Sequence, residues 1–350
     1  MKILLISPKM DNPNGGIAVW TELYLEGCQT HSLNCDVLNT STIGKRAING
    51  EAGRNFFDEF IRTTRIFKKL KKFIKKNDYN VIHLNSSCGT FGVIRDYLII
   101  KKIKKLKPQA KIISHFHCDI PHQIHNKISK KYLKKLSKLS DKRLVLCENS
   151  KNYLKDEFKL ESIKVSNFIN ENNIAKKPRS FNESIKKAFF VGRISVDKGA
   201  FEIYEMARCM PNITFELAGA VAEDVGKWDK PDNVILLGLL EHNEILHKMD
   251  EADVFIFPSH TEGFSVALME AMARGLPSIV TDVGANKDMV ENNGGIVVPL
   301  LDVDCLKNAF SVMDNRAKRE SMSAWCVKKV KSTYTTDEVM KSIISSYMNI

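Results

Sequence analysis

Glu262 and Glu270 stand at the two ends of EGFSVALME, with seven residues between them. On a helix rising about 1.5 Å per residue their backbones are roughly 12 Å apart, too far to share a proton. Paired-carboxylate hydrolysis needs acidic groups roughly 5 to 9.5 Å apart across one bond, and no such pair can be assigned in this sequence. The two glutamates instead suit opposite ends of one long ligand. Between them, Gly263 lets bare backbone come close. The amides of Gly263, Phe264 and Ser265 precede a helix expected from about Ser265 to Arg274, so they face outward at its positive end. That is a seat for an anion, most often phosphate. The run Val254–Phe257 before it reads as a buried strand stopped by Pro258, while Gly275 and Pro277 end the helix.

A second cationic element is VGRISVDKG, residues 191–199. It follows an apolar strand, and Gly192 permits a turn. It lacks the G-x-G-x-x-G dinucleotide fingerprint, which removes the basis for a nicotinamide-dependent dehydrogenase. Arg193 and Lys198 suit a diphosphate leaving group, whose charge grows as a bond to phosphorus-bound oxygen breaks. In the first half, Asn14–Gly15–Gly16 follows the first strand and opens a helix, so backbone can approach a phosphate or a sugar. The segment ISHFHCDIPHQIH, residues 113–125, puts His115 and His117 on one face if the strand extends through both. Its four histidines and Cys118 also raise a metal site. The spacing fits no zinc pattern, and Pro121 is expected to break any helix aligning His122 with His125.

The segment EGFSVALMEAMARGLP resembles the signature of the retaining glycosyltransferases of family 4, also called group 1, and the resemblance extends along most of the chain. It implies the α/β GT-B architecture: two Rossmann-like doubly wound domains facing an interdomain cleft. It implies transfer of a sugar from a nucleoside diphosphate-sugar to an acceptor hydroxyl with retained configuration, generally without a metal. By resemblance, Arg193 and Lys198 bind the diphosphate and Glu270 accepts hydrogen bonds from the ribose. Glu262 faces the donor hexose beside Gly263, Phe264 and Ser265, while backbone at Gly238 and Leu239 contacts the nucleobase. The glycine-rich loop contributes Gly16 to the donor and Gly15 with Gly16 to the acceptor. A strand-end histidine touches the donor sugar. His117 matches it loosely, Cys118 departs from the pattern, and His115 remains a competitor. The reacting centre would then hold His117, Glu262, Arg193 and Lys198. Asp302–Val303–Asp304 is similar to the metal motif of the other major glycosyltransferase fold, but its place before Leu306–Met313 suits a helix cap.

These residues need strand ends to hold them, and the hydrophobic pattern supplies them. Runs at Ile3–Ser7, Cys35–Asn39, Val81–Leu84, Lys111–His115 and Arg143–Cys147 alternate with helices around 18–30, 54–76, 96–106, 130–140 and 150–158. A second series follows the polar stretch Asn170–Glu183, with strands at 188–191, 214–218, 234–237, 254–257, 278–281 and 296–298. Such alternation predicts mostly parallel sheets covered on both faces. The expected division is 1–168, an acceptor-binding domain, and 169–350, a nucleotide-sugar domain. The family's last helix commonly returns to the first domain, here from about Asp337.

A length of 350 residues accommodates two ordinary cores. No apolar run approaches the roughly 20 residues of a membrane span. The start MKILLISPKM reads as a buried strand rather than a signal peptide. Eight scattered cysteines without C-x-x-C spacing indicate reduced thiols and a cytoplasmic location. The formal net charge of +12 favours acidic partners. Lysines gather at 68–76, 101–107 and 127–143, all in the first half. They suit either the solvated faces of helices or a basic surface on an anionic membrane. Nucleic acid is not expected, since no interleaved aromatics or RNA-binding motif accompany them. The expected partners are a nucleoside diphosphate-sugar and a saccharide acceptor, lipid-linked in surface polysaccharide assembly. A catalytically silent sugar-nucleotide-binding or scaffold protein is the competing function.

Overall fold

A computed structural model describes residues 1–9, 16–41, 56–86, 88–124, 126–291 and 293–348. The side chains of Phe56 and Asp58 also lie outside the description. The chain divides into two compact units, Met1–Phe168 with Thr336–Ile350, and Ile169–Thr335.

In the first unit the strands are β1 (Lys2–Ser7), β2 (Asn34–Asn39), β3 (Val81–Ser86), β4 (Ile112–Phe116), β5 (Lys142–Val145) and β6 (Ile163–Lys164). Between them run α1 (Gly16–Thr30), α2 (Phe56–Lys76), α3 (Thr90–Leu106), α4 (Ile120–Gln123), α5 (Lys127–Leu139) and α6 (Glu148–Phe158). The sheet is parallel in the order β2-β1-β3-β4-β5-β6. Alternation sorts its residues onto two faces. Ile82, Leu84, Ile112 and Phe116 pack under Ile66, Leu70, Ile99, Ile103, Leu133 and Leu136 of α2, α3 and α5. Residues of opposite parity, including His83 and His115, carry the site described below. Removing the Phe116 ring from this core should cost about 3–5 kcal/mol.

The second unit contains β7 (Lys187–Val191), α7 (Ala200–Cys209), β8 (Thr214–Ala218), β9 (Val234–Gly238), α8 (His242–Glu251) and β10 (Val254–Phe257). It continues through α9 (Val266–Ala273), β11 (Ser278–Thr281), α10 (Asn286–Val290), β12 (Gly295–Val298), α11 (Val303–Met313) and α12 (Arg316–Thr333). Its parallel order is β12-β11-β10-β7-β8-β9. Strands β10 and β11 are buried at every position, as both-face coverage requires. The last helix, α13 (Thr336–Met348), belongs with the first unit.

Several elements differ from expectation. Helix α3 starts at Thr90, a turn and a half before Asp96, because Gly92 is buried against the core and pays its helix cost in packing. Pro121 does not forbid a helix: it lies in the first turn of α4, where its missing N–H would have had no partner. His125 lies outside the described residues. Helices α10 and α12 and strand β6 carry too little periodicity to be found. Asp302 caps α11, accepting the Cys305 amide at 2.8 Å.

Candidate functional site

In a doubly wound sheet, ligands lie where the strand order reverses. In the second unit that point falls between β7 and β10. The loops leaving those strands are 192–199 and 258–265, which contain Arg193, Lys198, Glu262 and Gly263. Lys198 Nζ donates to Glu262 Oε1 at 2.7 Å and to the Thr261 carbonyl at 3.2 Å. Ser259 Oγ donates to the same Glu262 oxygen at 2.9 Å. The Glu262 side chain is only 12% exposed, so this ion pair is partly shielded and fixed in one geometry.

The start of α9 adjoins this pair. Ser265 is its N-cap, accepting the Leu268 amide at 3.1 Å. The amides of Gly263, Phe264 and Ser265 find no hydrogen-bond partner among the described residues. They are three donors at a helix's positive end. Two glycines make the close packing possible. A Cβ on Gly199, whose φ is +80°, would strike the Pro258 carbonyl. One on Gly284, at φ +55°, would stand 2.5 Å from the Glu262 carbonyl oxygen. His260 completes the bracing: its Nε2 meets buried Glu202 Oε1 at 2.8 Å and its amide donates to Asp197.

Arg193 is exposed and lines a pocket of about 320 Å³ with Gly192, Gly219, Leu239, Leu240 and Ile245. Gly219 donates to the Gly238 carbonyl at 2.7 Å, bringing the ends of β8 and β9 together. Leu239 is 82% exposed, an apolar surface of the kind a flat base covers. Glu270, one face away, accepts from His242 Nε2 at 2.8 Å, and this bond raises the His242 pKa. Lys198 and Glu262 are therefore in direct contact, Arg193 and Leu239 share a pocket, and Glu270 is held by a residue on α8. The sequence had not singled out His242, Ser259, His260 or Glu202. Only Ser259 and His260 carried a signal, as polar residues in the loop already marked.

The first unit's reversal falls between β1 and β3, beside the loop containing Asn14 and Gly15, which lie outside the described residues. Gly16 opens α1, and a side chain there would meet no neighbour within 4 Å among the described residues. Strand β4 ends at Phe116, so His117 follows it, yet the His115 and His117 rings lie with centroids 3.9 Å apart. Trp20 of α1 meets both edge-on, at 5.2 and 5.0 Å, and stacks on Tyr24 at 4.9 Å. A buried relay connects these rings to the last helix. Tyr24 and Tyr347 hydroxyls are 2.6 Å apart, Tyr347 meets His83 Nδ1 at 2.5 Å, and His83 Nε2 meets His115 Nδ1 at 3.3 Å. Burial strips these imidazoles of charge. His83 and His117 are lowered to about 3 by desolvation, and His115 is lowered well below its usual range for the same reason. The Nε2 atoms of His115 and His117 are buried without a partner among the described residues. Neutral imidazoles can donate to or accept from a hydroxyl without adding charge.

Residues 171–324 match the family model of the glycosyl transferases group 1. An uncharacterised 41.2 kDa protein in the cps region of Klebsiella pneumoniae is 26% identical over 81% of this chain and 82% of its own. The UDP-Gal:alpha-D-GlcNAc-diphosphoundecaprenol alpha-1,3-galactosyltransferase of Escherichia coli is 24% identical over 80% of this chain and 78% of its own. Among solved structures, a sucrose-phosphate synthase from Thermosynechococcus elongatus superposes with a TM-score of 0.79 at 17% identity, covering 99% of this chain and 98% of that one. The two doubly wound units are the GT-B fold. The match to the glycosyl transferases group 1 model lies within the second unit, and the full-length relatives extend the similarity into the first.

Proposed function

We propose that this glycosyltransferase moves a sugar from a nucleoside diphosphate-sugar to a hydroxyl of a lipid-linked saccharide, retaining the anomeric configuration, as in family 4. The observation that carries this reading is the Lys198–Glu262 pair set against three unpartnered amides at the start of α9. A diphosphate takes the amides and the lysine, with Arg193 on the neighbouring strand end. Glu270 takes the ribose hydroxyls in place of His242, and the base lies over Gly238 and Leu239. Glu262, released in part from Lys198, faces the hexose, and by the family resemblance His117, with His115 as its competitor, is the neutral imidazole for a sugar hydroxyl. Gly15 and Gly16 form the acceptor side.

In the transfer, the acceptor oxygen bonds to the anomeric carbon as the bond from that carbon to the diphosphate oxygen breaks. The acceptor proton passes to the departing phosphate. Positioning and charge stabilisation supply the rate. The cations and helix amides do the neutralising that a divalent metal performs elsewhere, so transfer should persist in a chelator.

The K. pneumoniae relative's place in a cps region and the E. coli enzyme's diphosphoundecaprenol acceptor support a role in bacterial surface polysaccharide assembly, on the inner face of the cell membrane. No helix among the described residues is long and apolar enough to cross a membrane, so contact would be peripheral. The test is a thermal-shift screen against UDP-, GDP- and ADP-sugars, followed by product NMR with the ligand that stabilises. A donor at about 100 times its Kd should add about 2.7 kcal/mol. Stabilisation without turnover on any lipid-linked acceptor would favour a silent binding protein, and an inverted product would refute retention.

A further inference from the structure

The three lysine clusters of the first half, far apart in sequence, lie together in space. Helix α3 packs between α2 and α5 on one face of the first sheet. Their buried sides meet the core described above, and their outer sides are lysine. Lys68, Lys69, Lys71, Lys72, Lys75 and Lys76 are exposed on α2, and α5 carries six further lysines and no acid. Among the described side chains, neighbouring elements offset only part of this charge, in ion pairs such as Lys130–Glu157 and Lys104–Asp141, and the described carboxylates on the helices are engaged by arginines. Asp96 is buried against Arg95, and Glu59 is paired with Arg62.

The same face is also graded along its length. In a parallel sheet each crossover helix begins at the carboxyl edge of the strand before it. At that edge all three helices expose large apolar side chains: Phe57 and Phe60 on α2, Phe91 on α3 and Ile128 on α5, each 45% exposed or more. On α2 and α3 the lysines follow about two to three turns later, and on α5 they flank Ile128 directly. Between α2 and α3 lies a groove of about 500 Å³, floored by Phe67 and Leu98 and rimmed by Lys68, Lys71, Lys101 and Lys105.

We infer that the α2–α3–α5 face is a docking surface for an anionic phospholipid bilayer. The apolar fringe enters the headgroup layer, the lysines sit on lipid phosphates, and the α2–α3 groove takes a lipid chain below its phosphate. The fringe lies at the carboxyl edge of the sheet, where the acceptor loop begins, so docking brings that edge to the lipid. This deepens the lipid-linked acceptor reading and, as a source of that acceptor, rests on it. Two other occupants fit less well. Single-stranded nucleic acid stacks its bases on open aromatic faces, whereas the rings beside these lysines, Phe67, Tyr97 and Tyr132, are partly buried against the core, and Tyr97 and Tyr132 already lie under lysine ammoniums. A second copy of the chain would set one lysine face against another.

The test uses the full chain in sedimentation with vesicles of phosphatidylglycerol and phosphatidylethanolamine, against phosphatidylcholine alone. One variant carries Lys→Gln at 68, 71, 101, 102 and 105. A second carries Phe60→Ser and Ile128→Ser. A charge-matched control carries Lys→Gln at 176, 177, 227, 318 and 328, all in the second unit. Each lysine near an anionic surface adds enough for the groove variant to lose about a hundredfold or more in vesicle affinity. The fringe variant should bind at low salt but release at high salt, where wild type stays bound, and the control should bind as wild type does. Transfer to a water-soluble acceptor analogue should be unchanged in all three, which also reports their folding. The inference is overturned if wild type ignores phosphatidylglycerol, if the control loses as much as the groove variant, or if single-stranded RNA displaces the vesicles. Vesicle binding needs no donor sugar, so lost turnover with intact docking would count against the enzyme reading alone.

Discussion

The two units present the same strand ends by opposite electrostatic means. In the second, a lysine and a glutamate are held together beside bare amides, and charge is kept available at a partly exposed loop. In the first, Trp20, Tyr24, Phe168 and Tyr347 pack with three imidazole rings until the histidines can no longer ionise near neutrality. On the proposed reading, one site meets an anion, and the other meets hydroxyls while contributing no charge of its own. A single fold can therefore divide labour between its halves by degree of burial alone.

The sharpest way to break this contrast is Lys198→Ala. If charge in the second unit supplies the rate, kcat should fall about 10²- to 10³-fold, as when one preorganised stabilising donor is lost. A Lys198→Ala enzyme with wild-type steady-state kinetics would end the contrast. Tyr347→Phe comes next: it keeps the ring and deletes the hydroxyl joining His83 to Tyr24. A buried partner left unsatisfied costs about 1–3 kcal/mol, read as a lower denaturant midpoint at constant m. The ¹⁵N shifts of His83 and His115 should change tautomer balance as well, which a packing defect alone would not do.

His83→Gln addresses the neutral side directly. In the native state His83 takes a proton only near pH 3, against 6.5 when unfolded. Between those values the unfolded chain binds the extra proton, so stability is full above about 6.5 and drains away as pH falls. Removing this one group should flatten the slope of unfolding free energy by about 1.4 kcal/mol per pH unit in that window. An unchanged slope would mean the ring is not kept neutral. The smallest effect is expected from His242→Gln. Its pKa is raised by Glu270, so its contribution is present below about 6.5 and lost as pH rises through the raised value. The side chain is 51% exposed, which holds the loss at low pH to under about 1 kcal/mol, with none at pH 9.

What the sequence disclosed follows the range of the physics. Helix α9 and its loop could be read because Pro258, Gly263, Gly275 and Pro277 act on their immediate neighbours, and α11's cap because Asp302 reaches three residues. The start of α3 was missed since local propensity penalised Gly92 while tertiary packing accepted it. The His242–Glu270 bond spans 28 residues and exists only because α8 and α9 pack together. His83 and Tyr347 are 264 residues apart, and no local pattern could join them. The lysine clusters were plain as composition, but their convergence on one face depended on the order of strands.

The relay through Tyr347 also bears on how the polypeptide matures. Ribosomes release chains from the amino terminus, and domains generally fold as they emerge. Here the first half must wait, its imidazole cluster unsealed, while the whole intervening lobe is made and α13 finally arrives. Translational pauses ahead of α13, or truncations that remove it, should therefore injure a part of the protein synthesised well before it.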